Sequence, residues 1–333
     1  MKKSYIIKRI LYTVLLFFVV LTLNFFIPRI GIDDPAERYY PPQGNMSDIE
    51  YDIVKQATRK QYGFDVSTWK QYLRYVDGLF HGDLGNSFKS GSPKVIDLIA
   101  ERLPWTLVLS ITTLFIGAIS GVLIGAFAAW KRGRWPDLVL MNASTITTAL
   151  PSFFIALILV LILGFEAEWF PAYTDPNMVA DFDWSPEAIG TVFYNAALPI
   201  FSMAIGSIVG YAQTTRNSMI AVSGEDFIVT ARAKGLSSDT VLYKHTLRNA
   251  ILPIVTNFGM SVSGLVGGAV VIEQIFNWNG MGTLFLEANN TNDYPLMMGI
   301  MLFLSTFALV ANLVTDLCYC LLDPRVTVDG GRR

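Results

Sequence analysis

Six apolar runs divide the chain: Ile10 to Ile27, Trp105 to Trp130, Leu138 to Phe165, Ala196 to Val222, Ile251 to Phe276 and Pro295 to Leu322. Each is near or above the ~20 residues that a helix needs to cross a bilayer. The pattern predicts an all-α, polytopic membrane protein with six transmembrane helices. Lys2, Lys3, Lys8 and Arg9 precede the first run. That run is too long for a signal-peptide core and Pro28-Arg29 lacks a small-residue cleavage pattern, so the first span is expected to be retained. Pro151 and Pro199 fall inside or near the start of spans, where a freed carbonyl needs a neighbouring helix or a water-filled cavity. The fifth run holds Gly259, Ser261, Ser263, Gly264, Gly267, Gly268 and Ala269, a small-residue surface that lets helices approach closely.

The longest polar interval, residues 29–103, follows the first span. Pro35, Pro41, Pro42 and Gly44 mark an irregular lead-in. Ser47-Asp-Ile-Glu50 is a capping box that opens a helix towards Gly63. Trp69, Tyr72, Leu73, Val76, Leu79 and Phe80 follow an amphipathic helical stripe. Their face can lie on the membrane surface or pack on the spans. Gly82-Asp-Leu-Gly85-Asn-Ser87 reads as a turn, and Ser92-Pro93 as the start of a short helix ending near Pro104, with Val95, Ile96 and Ile99 inward.

Between the fourth and fifth runs lies a polar stretch of both charge signs, Ser223 to Pro253. Ser223 is placed to cap a helix with Asp226 three residues on, and Phe227, Ile228 and Ala231 then recur at helical spacing. Gly235 suits the left-handed residue that ends such a helix. Ser237 or Ser238 can cap a second helix, with Asp239 in its first turn. A short helix, a glycine turn and a second helix at a membrane surface form a docking surface for another protein.

Composition agrees: of 333 residues, 52% are hydrophobic and 16% charged, against about 25% charged in soluble proteins. The net charge of −2 matters less than where the charges lie. Lys131-Arg-Gly-Arg134 joins spans two and three; Arg216, Arg232, Lys234, Lys244 and Arg248 lie between four and five; Arg325, Arg332 and Arg333 end the chain. Residues 166–195 and 277–294 hold no Lys or Arg. The positive-inside rule therefore predicts a multi-pass protein of the cell membrane with both termini and the 223–250 stretch cytoplasmic, and residues 29–103 external. The domains are expected at 1–28, 29–103, 104–323 and 324–333.

Candidate chemistry is sparse. No G-x-x-x-x-G-K-[ST] occurs, so the chain carries no ATP site of that kind. His81 and His245 are too separated in sequence for a metal site, and Cys318 and Cys320 face nearly opposite ways on a helix and cannot pair. No cofactor, metal or nucleic-acid partner is expected. An intramembrane protease would need a Ser–His dyad or paired acids within the spans. Glu273 and Asp316, late in spans five and six, lie towards opposite faces and cannot share a proton. A proton-driven carrier could use such acids as relays, but no inverted repeat accompanies them; Arg325 is a candidate partner for Asp316.

Thr230-Ala-Arg-Ala-Lys-Gly235-Leu and His245-Thr-Leu-Arg-Asn249-Ala-Ile-Leu-Pro253 resemble the cytoplasmic coupling loop of ABC-importer permeases, and more narrowly the oligopeptide/dipeptide/nickel branch. Val229 and Thr230 stand where the general motif has Glu and Ala, as is typical of that branch. Leu150-Pro-Ser-Phe153, Trp169-Phe-Pro171, Ile272-Glu273-Gln-Ile-Phe276, Gly280-Met-Gly282, Asp293-Tyr-Pro295, Asn312 with Asp316, and Leu322-Asp-Pro-Arg325 extend the likeness to the C-terminus. The first span and the Gly82–Ser87 turn resemble the first of the family's two permease subunits. The resemblance implies a type I importer permease with a homologous second permease, two ATPase subunits and an extracytoplasmic substrate-binding protein. It implies import of a peptide, or alternatively an oligosaccharide or nickel chelate. On this reading Phe227, Ile228, Ala231, Arg232, Lys234 and Gly235 meet the ATPase, with Ala231 facing its groove and Phe227 and Ile228 as apolar anchors. Glu273, Gly280 and Gly282 are expected to form an external gate.

Overall fold

In the computed structural model of the protein, residues 3–30, 47–61, 63–89, 91–175, 178–179, 182–267 and 269–322 are described. The proline-rich lead-in at 35–44, Gly268 and the tail 324–333 with Arg325 lie outside the described residues. Among those described, every regular element is helical; one antiparallel bridge joins Asn86 to Lys94.

Helix α1 (Lys3–Phe26) ends in a tight turn at Ile27–Arg29. It lies along the last helix, α12 (Tyr294–Leu322). Asn24, buried, donates to the Met298 carbonyl at 2.7 Å, and Arg9 pairs with Asp316 at 3.0 Å near the other end. Asp316 thus has a partner on span one. Leu11, Leu15 and Leu23 on α1 stay exposed, as suits a face in contact with lipid tails.

The 29–103 interval is more ordered than a loop. The α2 helix (Asp48–Gln61) opens with the expected capping box: the Glu50 carboxylate accepts from the Ser47 N–H at 3.0 Å. These bonds from Ser47 hold the Glu50 carboxyl below its usual range. Helix α3 (Thr68–Phe80) divides its apolar stripe. Tyr72 stacks edge-on against Phe25 and shares a hydrogen bond with Thr22, while Trp69, Leu73 and Phe80 stay exposed. One side packs on span one and the other is bare.

Helix α4 (Val95–Trp130) corrects the expected short helix before Pro104. It runs unbroken through the proline for 36 residues, about 54 Å, and so outreaches the ~30 Å hydrocarbon core. Proline costs this helix one donor, while Val95 and Ile99 are buried against Met281, Leu284, Leu296 and Ile300 and hold the first turns in place. Ile96 is exposed, not inward.

The third apolar run is not one straight span. Helix α5 (Trp135–Ala149) and helix α6 (Ser152–Leu159, prolonged by the wider-wound Val160–Glu166) meet at 99°. Leu150 is extended there, φ −103° and ψ 116°, because a residue before proline is pushed out of the helical region. Helix α7 (Pro186–Val222) starts well before Ala196, since the Ser185 hydroxyl caps the Ala188 N–H at 3.1 Å and Pro186 fits the first turn. Pro199 therefore sits within it rather than at its start.

Helices α4 and α7 pack most extensively. Gly117, Gly121 and Gly125 of α4 face α7 so closely that a Cβ on Gly121 would lie 2.6 Å from the Ile208 carbonyl, and one on Gly125 2.2 Å from that of Ala212. The Asp137 carboxylate, buried, takes a two-pronged hydrogen bond from Arg216 at 2.8 and 3.1 Å and fixes α5 to α7. Helix α8 (Asp226–Ala233) and the wide-wound turn Thr240–Leu247 lead into α9 (Arg248–Ser263). The fifth run then breaks, correcting the continuous span: α9 stops at Ser263, and α10 (Val270–Ile275) and α11 (Met281–Asn290) follow. Gly259 still makes the expected close contact, with Thr315 of α12 donating to its carbonyl at 3.2 Å.

Four helical segments are long and apolar enough to cross a membrane: Ile6–Arg29, Val95–Trp130, Pro186–Val222 and Tyr294–Cys318. The bent pair Trp135–Ala149 and Ser152–Glu166 makes a fifth if it is one span. Among the described residues every regular element is helical, with the apolar helices of a multi-pass membrane protein.

Candidate functional site

The coupling stretch is built by two caps and one turn. Helix α8 ends in a Schellman arrangement: the Leu236 N–H reaches the Ala231 carbonyl at 3.4 Å and the Gly235 N–H the Arg232 carbonyl at 2.9 Å. Gly235 takes φ +71° there, as that cap requires. The next helix opens at Ser237, whose hydroxyl accepts from the Thr240 N–H at 3.4 Å. The opening of α8 differs from expectation. Ser223 is still helical, φ −63° and ψ −19°, and its hydroxyl donates back to the Met219 carbonyl at 2.6 Å. The N-cap is Glu225, in the extended conformation, because α7 runs on to Val222 and leaves Ser223 no room to turn.

The six residues assigned to this stretch do gather on one helix and its cap, but they point two ways. Ile228 and Ala231 are buried with Val241 against Trp130 and Val222, the ends of α4 and α7. They are the foot on which α8 stands, buried rather than turned outward as expected. The Arg232 guanidinium lies 5.7 Å over the Trp130 ring. Phe227, Lys234 and Gly235 face solvent. Val229 (60% exposed), Leu236 and Tyr243 join Phe227 there as uncovered apolar groups. The sequence reading missed these three, although Val229 lies beside residues it named.

At the other end of the molecule, Glu273, Gly280 and Gly282 form one buried knot. Glu273 has no exposed surface. One carboxylate oxygen accepts from the Thr106 hydroxyl at 2.6 Å; the other accepts from the N–H groups of Gly282 and Thr283 at 2.7 and 3.2 Å. The Thr106 hydroxyl in turn accepts from the Met281 N–H at 2.8 Å. The first three amides of α11 have no carbonyl partner within their own helix; the Thr106 hydroxyl of α4 and the Glu273 carboxyl group of α10 supply an acceptor to each. A Cβ on Gly280 would fall 2.4 Å from the Glu273 carboxylate, and one on Gly282 2.5 Å from the Val270 Cα. Trp278, fully buried, donates from its indole to the Trp105 carbonyl at 3.0 Å. With both oxygens engaged and no solvent contact, Glu273 holds α4, α10 and α11 together.

A second buried carboxylate lies near the start of α12. Asp293 accepts from the Ser87 hydroxyl and from the N–H groups of Phe88 at 3.0 Å and Leu296 at 3.2 Å. It ties the Gly82–Ser87 turn to α12. Both partners stood in sequence motifs noted above, but only the structure pairs them.

A family model described as binding-protein-dependent transport system inner membrane component matches residues 121–328. The chain is 32% identical to the oligopeptide transport system permease protein AppB of Bacillus subtilis, over 97% of this chain and 99% of that one. It is 34% identical to the oligopeptide transport system permease protein OppB of Haemophilus influenzae, again over 97% and 99%. The glutathione transport system permease protein GsiC of Escherichia coli is 32% identical over 97% of this chain and 98% of its own length.

Proposed function

This chain belongs to the family of binding-protein-dependent transport system inner membrane components, and we propose that it is the first of two permease subunits of a peptide importer. The observation that carries the substrate class is likeness over nearly the whole chain to permeases named for oligopeptides and for glutathione, a tripeptide. A homologous second permease completes the pathway, two ATPase subunits bind the cytoplasmic side, and an extracytoplasmic binding protein delivers substrate. The chain itself is not an enzyme and binds no cofactor. Six spans put both termini inside and residues 29–103 outside, with α9 and α10 together as the fifth crossing.

Within that assembly, Phe227, Val229, Leu236 and Tyr243 form the apolar part of the ATPase dock, with Lys234 beside them and Gly235 setting the angle between the two helices. Burial of Ile228 and Ala231 under the ends of α4 and α7 supports this division, since a push on α8 then reaches two long helices directly. The Glu273 knot, with Gly280 and Gly282, is the closed outer gate. The test is reconstitution of the full assembly in vesicles with the cognate binding protein. ATP-dependent uptake of a labelled peptide is expected. Absence of peptide uptake, with an oligosaccharide or nickel chelate imported instead, would overturn the substrate assignment.

A further inference from the structure

A cavity of about 250 Å³ lies between the outer end of α1, helix α3, the Gly82–Ser87 turn and the start of α12. It is small beside the roughly 300–1,000 Å³ of ordinary ligand pockets. Its walls include Phe25, Arg29, Arg74, Tyr75, Asp83 and Phe88. The Arg29 guanidinium stacks 3.8 Å over the Phe25 ring, and one of its terminal nitrogens donates to the Phe25 carbonyl at 2.7 Å. Its Nε is buried without a hydrogen bond. Burial pushes the Tyr75 hydroxyl up to about 12, with Asn24 and Arg29 opposing the rise. Tyr75 therefore stays a donor throughout the physiological range. Asp83 is the cavity's carboxylate, and it is engaged by the Gly85 N–H at 2.8 Å. Two guanidinium groups against one engaged carboxylate leave the cavity positive.

Arg29 closes the first segment long and apolar enough to cross a membrane, which on the orientation proposed above puts it beside the outer lipid headgroups. Exposed Leu23 at the end of α1 and Ile27 in the turn after it extend an apolar face from the cavity. We propose that this cavity binds a phosphate group, which the Arg29 and Arg74 guanidinium groups grip as donors. An anionic phospholipid headgroup and soluble phosphate present the same chemistry. Guanidinium groups match phosphate oxygens in a two-pronged geometry, and the aromatic walls suit the membrane interface. This inference rests on the external placement of residues 29–103, not on the substrate assignment.

The experiment uses the assembled transporter in detergent, with native mass spectrometry to read bound phosphatidylglycerol, phosphatidylcholine and inorganic phosphate. Wild type should retain phosphatidylglycerol over phosphatidylcholine, or bind inorganic phosphate. Arg29→Gln should weaken that binding about tenfold or more. Arg74→Gln, at an exposed position that folding tolerates, should weaken it in the same direction. Retention of phosphatidylglycerol against excess inorganic phosphate identifies the lipid as the source; displacement by phosphate alone identifies the soluble anion. Binding unchanged in both variants, or no binding of either anion, would overturn the proposal, whatever the transporter imports.

Discussion

At the scale of single residues, Glu273 shows how one buried carboxyl group can hold several helices together. It serves as an external partner for the amides that open α11. Replacing it by Gln puts an NH₂ group among donors and leaves at least one of them unmatched, at a cost of about 1–3 kcal/mol. The purified assembly carrying Glu273→Gln should unfold at a lower temperature, and ATPase stimulation by the binding protein should change with it. Unchanged stability and unchanged stimulation together would remove Glu273 from both roles. Neighbouring residues in α8 make a sharper contrast. Ile228→Ala empties a fully buried site and should destabilise the fold by roughly 2–5 kcal/mol, whereas Phe227→Ala should leave folding intact and reduce ATPase copurification. Equal effects on both readouts would contradict the division of α8 into a foot and a dock. That division was not legible in the sequence, because Phe227, Ile228 and Val229 are all apolar and spacing alone does not say which one turns inward. The pairing of Asp293 with Ser87 was hidden for another reason: more than two hundred residues separate them.

At the scale of elements, local signals held at most positions where one turn of chain decides the outcome, the Ser223 cap being the exception. The Ser47–Glu50 box and the Gly235 cap form as their residues demand. Signals failed where packing between helices decided. Pro104 reads as a stop, yet the buried Val95 and Ile99 carry α4 through it. The small-residue run after Gly259 reads as a packing face, and it is also where the fifth run breaks. The stripe Gly117, Gly121, Gly125 has the spacing of a close-approach motif, not singled out above from the sequence alone, and it gains meaning only with α7 opposite. Gly121→Leu should prevent that approach and lower the yield of folded, monodisperse protein, whereas Gly133→Ala, where nothing lies within 4 Å, should reduce stability only by local backbone strain. For the coupling turn, a Cβ at Gly235 meets open space, so the penalty is conformational, about 1–2 kcal/mol. Gly235→Val should therefore insert and fold normally while tilting α8 against the helix that follows, with loss of substrate-stimulated ATP turnover. Full transport by that variant would mean the angle between these helices does not matter.

At the scale of the whole molecule, hydropathy located every apolar run but did not say how each crosses. Two of the six are broken, one by Leu150-Pro151 and one after Ser263, and neither of the two arms at Leu150-Pro151 is as long as the ~20 residues of a full crossing. The charge pattern supplies what length does not, because basic residues cluster at Lys131–Arg134, near Arg232 and Lys234, and at the C-terminus. If that pattern sets orientation, the Phe227 surface and the Arg29 cavity lie on opposite sides of the bilayer, and one experiment distinguishes them. In a cysteine-free background, a cysteine in place of Phe80, which is exposed on α3, should react with an impermeant maleimide added to intact cells. One in place of Lys234 should react only after the membrane is opened. The broken spans make this more than a formality. If α9 with α10 turned back without crossing, the segments before and after them would share a side, and α12 would have to run the other way. If the bent pair α5–α6 crosses, the Asn24 bond to Met298 and the Arg9 pair with Asp316 count against that reversal, since they hold α1 and α12 side by side with opposite direction. Labelling of position 234 from outside intact cells would therefore overturn the orientation of every span at once, not of one loop.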